Sequence, residues 1–307
     1  MGSTDSTGND RWMNAPASFL AATAPLREAV IRHIPDLDAR IAADPDLKLK
    51  DLFDLAQDPA QLGQDLAAAN QKMHDLMVKE IEEFGVKGDP DDLRYQWGNP
   101  EINEAVVQMI EQRYPVPENQ GNIIFYGPSN MTLWFSLETD MLPYRGQNHG
   151  MGGCIDDDLM HYAPRLLYPY HPAAVFFQTG SNDIAGGIPL ETILSNKKKM
   201  YAEFLKNLPE AQLIVCSGLP LPGRAQYWEP TCRTNELLKK MCEETDRLHF
   251  MSADDVMLTD HGPEKLRTRD GRYFNPELFR MDQIHLNKKG HDRWTALMKD
   301  KLRELGI

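Results

Sequence analysis

Four short apolar runs, Ile123–Tyr126, Ala173–Gln178, Leu213–Cys216 and Leu248–Met251, constrain this chain more than any other feature. Each has the length of a strand and is bounded by Gly, Pro, Asn or Asp. Helical spacing fills the gaps between them, at about Ile155–Leu167, Leu190–Leu208 and Thr231–Thr245. A last helix is predicted over Lys288–Leu305, with Trp294, Leu297, Met298 and Leu302 on one face. Strands that alternate with helices require right-handed crossovers and a parallel sheet covered on both faces. The expected fold is therefore α/β, a three-layer α/β/α arrangement around a central parallel sheet of about five strands. Active sites in such sheets lie beyond the carboxyl ends of the strands, so chemistry is expected just after each run.

The sequence ahead of the first run has a different character. Residues 1–12 read as a disordered tail, residues 13–118 as an α-helical N-terminal region, and residues 119–307 as the α/β domain. The clearest N-terminal element is predicted from Pro59 to Phe84. Its Leu62, Leu66, Ala69, Met73, Leu76, Met77, Ile81 and Phe84 recur at three- and four-residue steps and form one apolar stripe. That stripe is expected to pack on the body of the protein, with a homo-oligomer seam through the N-terminal helices as the alternative. A short helix at about Pro100–Arg113 leads into the first strand.

Composition excludes several functions. The formal net charge is −13, from 33 basic and 46 acidic residues, which argues against nucleic acid as a partner because phosphate neutralisation needs a basic face. No apolar stretch approaches the roughly 20 residues of a membrane helix, so no membrane insertion is expected. Cys154, Cys216, Cys232 and Cys242 lack Cys-x-x-Cys spacing. They are read as isolated thiols in a reducing compartment, with no metal or disulfide framework. With no signal-peptide core at the start, a cytoplasmic protein is expected. Asn130-Met131-Thr132 fits a glycosylation sequon, and on the same ground the match is taken as chance.

Two segments could together supply a nucleophilic triad. Gly127-Pro128-Ser129-Asn130 follows the first apolar run, and Asp282-Gln283-Ile284-His285 stands before the last helix. A serine hydroxyl is a poor nucleophile at neutral pH; it needs a base, and the base needs a partner that fixes its tautomer. An aspartate three residues before a histidine can face it across one turn, so one loop can deliver both. Ser129 would come from the end of a strand.

Two further blocks stand between these, Asn148-His149-Gly150-Met151-Gly152-Gly153 and Gly180-Ser181-Asn182-Asp183. The four blocks in this order, with Phe125-Tyr126-Gly127 before the serine, Leu133-Trp134 after it and Leu286-Asn287-x-x-Gly290 after the histidine, resemble the SGNH (GDSL-type) serine hydrolase family. The resemblance runs from about Asn122 to Leu305. It implies a flavodoxin-like sheet, Ser129 as nucleophile, His285 as general base and Asp282 as its orienter. It also implies an oxyanion hole from the backbone N–H of Ser129, the backbone N–H of Gly153 and the side-chain amide of Asn182, without metal or organic cofactor. Gly152 is the neighbouring candidate for the glycine position. In one respect the chain departs from the family: Pro128 stands where an acidic or small polar residue is common. Proline fixes φ and removes an N–H, but the implied hole uses the N–H of residue 129, so activity is expected to survive.

Other residues are candidates for contact with a substrate. His149 lies in the second block, Tyr227 and Trp228 follow Gly218–Gly223 as a possible pocket wall, and Met151 and Trp134 read as core. Residues 261–282 read as a loop whose Lys265, Arg267, Arg269, Arg272 and Arg280 are either matched by Asp270 and Glu277 or available to an anionic part of a substrate, with Arg272 as the candidate contact. The expected activity is cleavage of a small-molecule carboxylic ester through an acyl-enzyme. The alternatives are a thioesterase, lysophospholipase or acyltransferase using the same site, and a catalytically inactive ligand-binding protein.

Overall fold

The computed structural model describes residues 17, 24–44, 47–69, 72, 100–280 and 282–307. Its centre is a five-stranded sheet in the order β2-β1-β3-β4-β5, parallel throughout. The strands are β1 (Ile123–Tyr126), β2 (Gly146–Asn148), β3 (Ala174–Phe177), β4 (Gln212–Cys216) and β5 (Leu248–Met251). Four of them coincide with the apolar runs. The fifth, β2, has no such signature, because Gly146-Gln147-Asn148 is short and polar and pairs only with β1 at the sheet edge.

Side chains alternate across the strands, so each strand feeds two cores. Ile124, Tyr126, Val175, Phe177, Leu213 and Val215 pack on one face with residues from the helices Pro100–Arg113, Asp156–Leu166, Leu190–Asn207 and Trp228–Glu243. Ile123, Phe125, Ala174, Phe176, Ile214 and Cys216 pack on the other, chiefly against Trp294, Met298 and Leu302 of the helix Lys288–Glu304. Continuous burial explains why these strands read as unbroken apolar runs rather than alternating ones. The result is the three-layer α/β/α fold.

The N-terminal region is helical where it is described, over Ala24–Ile31, Leu37–Ala43, Leu49–Leu55 and residues 59–69. Leu26, Val30, Ile34, Leu37, Leu52 and Leu62 bury one another, with Leu66 and Ala69 against them. The described part of the predicted stripe therefore faces its own neighbouring helices, not the sheet. Its remainder, Met73 to Phe84, lies outside the described residues, as does the 1–12 tail. Among the described residues no helix is long and apolar enough to cross a membrane.

One expectation about the C-terminal third is corrected. Residues 261–282 are not a plain loop: Leu258–Thr259 (β6) and Tyr273–Phe274 (β7) pair antiparallel. Phe274 packs edge-on against Trp228, with ring centroids 5.8 Å apart. Two residues per strand are too few for a periodic signal, so the apolar contact, not the pattern, decides this element.

At the carboxyl edge of the sheet, Gly127 leaves no room for a side chain. A Cβ there would overlap the carbonyl oxygen of Gln178, the residue that follows β3. Gly127→Ala should therefore cost about 1–3 kcal/mol through overpacking, read as a lowered midpoint of denaturant unfolding.

Candidate active site

The chain leaves β1 at Tyr126, turns at Gly127-Pro128 and enters the short helix Ser129–Thr132. Pro128 is extended at φ −78° and ψ −154°, and its carbonyl accepts the N–H groups of Met131 at 2.9 Å and Thr132 at 3.2 Å. Ser129 thus begins the helix at the carboxyl edge of the sheet and is half-buried.

Residues 282–287 come to meet it. Asn287 caps the helix Lys288–Glu304 by accepting from the Gly290 N–H at 3.2 Å. Just before it, the chain folds over the serine turn. His285 Nε2 lies 2.8 Å from Ser129 Oγ, and His285 Nδ1 lies 2.6 Å from Asp282 Oδ2. Asp282 Oδ1 accepts the backbone N–H groups of Ile284 and His285, each at 2.9 Å. Burial pushes the Asp282 carboxyl up, but the adjoining imidazole and these hydrogen bonds outweigh it and hold the group at about 2. Asp282 is an anion at neutral pH, so Nδ1 carries the hydrogen it accepts, and Nε2 faces the hydroxyl as an acceptor. Pro128 has not displaced the serine from the histidine.

Asn130, absent from the sequence reading as a site residue, fixes this meeting. It is buried; its Oδ1 accepts from the Leu286 N–H at 2.9 Å, and its Nδ2 donates to the Ile284 carbonyl at 3.4 Å. The two residues flanking His285 are thus tied to the residue after Ser129. Asn130 is also the asparagine of the sequon, and both ends of its amide are engaged with the histidine loop.

The second block turns just after β2. Asn148 Nδ2 donates to the Met131 carbonyl at 2.7 Å, and the Met151 N–H donates to the Gly127 carbonyl at 2.8 Å. These bonds seat the loop beside the serine turn and lead to Gly153 at φ +74°, a left-handed conformation that favours glycine. The third block follows β3. Gly180, at φ +105°, turns the chain into the helix Ser181–Ala185, and Asn182 Nδ2 donates to the Cys154 carbonyl at 3.0 Å. Asn182 therefore sits against the residue next to Gly153.

Beneath this block lies a buried charge cluster. Lys197 Nζ and Asp156 Oδ1 are 2.9 Å apart and both side chains are inaccessible to solvent. Thr179 donates to the same oxygen at 2.7 Å, and Asp183 Oδ1 accepts the Asp156 N–H at 3.2 Å. Burial first, and repulsion from Asp156 second, push the Asp183 carboxyl well above the usual range, with Lys197 opposing.

Arg224 also escaped the sequence reading. It lies on the turn Pro222–Tyr227 after β4 and is buried, its Nη1 donating to Ser181 Oγ at 2.5 Å and Asn182 Oδ1 at 3.1 Å. A lone arginine in a loop at the carboxyl edge was the available signal.

Several candidate contacts stand elsewhere. His149 is fully buried, donates from Nδ1 to the Leu166 carbonyl at 2.7 Å, stacks on Tyr114, and is pulled down to about 4 by burial. It is a core residue, not a substrate contact. Trp228 is buried with Leu258 and Phe274, so it forms part of a small apolar cluster and not an open wall. Tyr227 is half-buried beside Arg224. Arg272 is paired with Asp270 at 2.8 Å and Asp255 at 3.1 Å, with Asp254 at 3.8 Å. Its charge is matched within the protein, which corrects the reading of Arg272 as an anion receptor. Met151 and Trp134 are core, as expected. The four cysteines are free thiols, three of them buried. Among the described residues no group of three His, Cys, Asp or Glu side chains is arranged to hold a metal.

Residues 136–293 match the model of the GDSL-like lipase/acylhydrolase family. The chain belongs to that family. The match covers the second and third blocks and the Asp282–His285 loop but begins after Ser129, which is linked to them by its 2.8 Å contact with His285. Among solved structures, this GDSL-like chain is similar to a protein from Streptococcus pneumonia provisionally named a platelet activating factor. The two share 19% identity with a TM-score of 0.55, over 77% of this chain and 99% of that one. It is also similar to a provisionally named acylhydrolase from Bacteroides fragilis, at 18% identity and TM-score 0.52, over 64% of this chain and 96% of that one. These likenesses establish the fold. No curated protein matches the chain.

The raised Asp183 carboxyl gives a signed pH dependence. A carboxyl whose folded value exceeds its unfolded value of about 3.9 contributes stability at acid pH that is lost as pH rises through the folded value. Asp183→Asn should therefore gain stability relative to the wild type as pH is raised above the ordinary carboxylate range, measured by denaturant unfolding at a series of pH values. A constant difference across that series would contradict it.

Proposed function

We propose that the protein is a serine hydrolase that cleaves carboxylic esters through an acyl-enzyme on Ser129. The observation that carries this reading is the hydrogen-bonded chain from Ser129 Oγ through the His285 imidazole to Asp282. Ser129 Oγ attacks the ester carbonyl carbon while its proton passes to His285 Nε2. Asp282 keeps the ring in the tautomer that accepts and stabilises the imidazolium that results. The carbonyl oxygen takes up negative charge, and the donors proposed for it are the Ser129 N–H, the Gly153 N–H and the Asn182 amide.

Collapse of the tetrahedral species expels the alcohol, which receives the proton from His285. Water then enters, gives its proton to His285, and attacks the acyl carbon, and the acid leaves as Ser129 recovers its hydrogen. Each hole donor is worth about 10²–10³ in kcat, because it is already oriented when the charge forms.

Ser129→Ala should abolish both turnover of a small activated ester and labelling by a fluorophosphonate probe, with the thermal unfolding midpoint little changed. Persistent turnover in that variant would remove the assignment. Asp282→Asn should lower kcat by about 10³–10⁴-fold, since the neutral amide no longer holds the productive tautomer. Offering the trapped acyl-enzyme water, alcohols and thiols distinguishes hydrolysis from acyl transfer.

A further inference from the structure

Asn182 can donate two hydrogens, and one is already committed to the Cys154 carbonyl at 3.0 Å. The other is useful to an oxyanion only if the amide plane is held still and the right way round. Amides are nearly symmetric in shape, so the orientation must be enforced by what each end meets. A flipped Asn182 would set its oxygen against the Cys154 carbonyl and its NH₂ group against a guanidinium. Both contacts are repulsive, and the guanidinium is that of Arg224, whose Nη1 donates to Asn182 Oδ1 at 3.1 Å and to Ser181 Oγ at 2.5 Å.

We propose that Arg224 is a positioning residue that orients and polarises the Asn182 amide as an oxyanion donor. Arg224 acts on the back of the amide and so needs no contact with substrate. A cation on the amide oxygen draws electron density from the nitrogen and makes the remaining N–H a stronger donor to a developing anion. Burial draws the Arg224 guanidinium down only to about 10, so it is cationic throughout the neutral range. Its backbone is anchored to the other half of the site. The Gly223 N–H donates to the Gln283 carbonyl at 2.8 Å, between Asp282 and His285, and Gln283 holds a left-handed φ of +59°. The turn bearing Arg224 thus spans the histidine loop and the Asn182 block, and sets one relative to the other.

This inference rests on the proposed ester chemistry at Ser129, and a double-mutant cycle tests it separately. The single variants Arg224→Met and Asn182→Ala and their combination are assayed on a small activated ester, with Ser129→Ala as control. Arg224→Met should lower kcat by about 10–100-fold with KM within about twofold, less than the loss of a whole donor. Arg224→Lys, which keeps the charge, should recover part of that loss, and Arg224→Gln, which keeps only a neutral N–H, should recover less. In the Asn182→Ala background Arg224→Met should cost less than about threefold more, because its target is gone. Should Arg224→Met fail to fold, the Lys and Gln variants are carried through the same cycle. Undiminished loss in the Asn182→Ala background, or a raised KM with unchanged kcat, would overturn the role. Turnover surviving Ser129→Ala, or no loss in Asn182→Ala, would instead sink the underlying reading.

Discussion

One buried side-chain amide decides where everything else in this site stands. Asn130 is fixed to the serine by the peptide bond and to the histidine loop by its two hydrogen bonds, to Leu286 N–H and the Ile284 carbonyl. It spans 154 to 156 positions of sequence within the width of an amide. Because both bonds are buried, no water replaces them, and a lost partner leaves backbone groups unpaired at about 1–3 kcal/mol each. The tie helps to hold the 2.8 Å Ser129–His285 contact.

Around the tie, charges are arranged in shells of opposite sign. Asp282 is held as an anion behind His285, Arg224 as a cation behind Asn182, and the Lys197–Asp156 pair lies below the block that carries Asn182. Each is buried or nearly so, where interactions are stronger than in water. The net charge of −13 plays no part in this; what matters locally is which charge faces which dipole. Arg272 marks the contrast, since three surrounding carboxylates leave it matched rather than poised.

The sequence disclosed features whose physics is local or periodic. The four apolar strands, the four long helices after β1 and the Asp282–His285 turn were legible because burial on both faces, a 3.6-residue period and a three-residue spacing each leave a trace. β2 left none, as a three-residue polar edge strand is defined only by its pairing with β1. Asn130 and Arg224 were missed for the same reason: their roles are long-range hydrogen bonds, and asparagine or arginine in a loop looks the same with or without them. His149 erred the other way. Its place beside the glycines suggested the site, but the ring turns into the core between Tyr114 and Tyr170, a direction that spacing does not encode. The Pro59–Phe84 stripe was visible as a period, yet periodicity does not say which surface receives it; its described part meets Leu26 and Val30.

The parallel sheet has a temporal side as well. All five strands lie before residue 252, whereas Asp282 and His285 leave the ribosome only after they do. A chain emerging from its N-terminus can pair β1 to β5 while Ser129 still lacks its base. On the proposed chemistry, the hydroxyl would gain its base only once the helix Lys288–Glu304 docks and brings the histidine loop over it. Labelling of Ser129 would then report that the last layer of the molecule has closed.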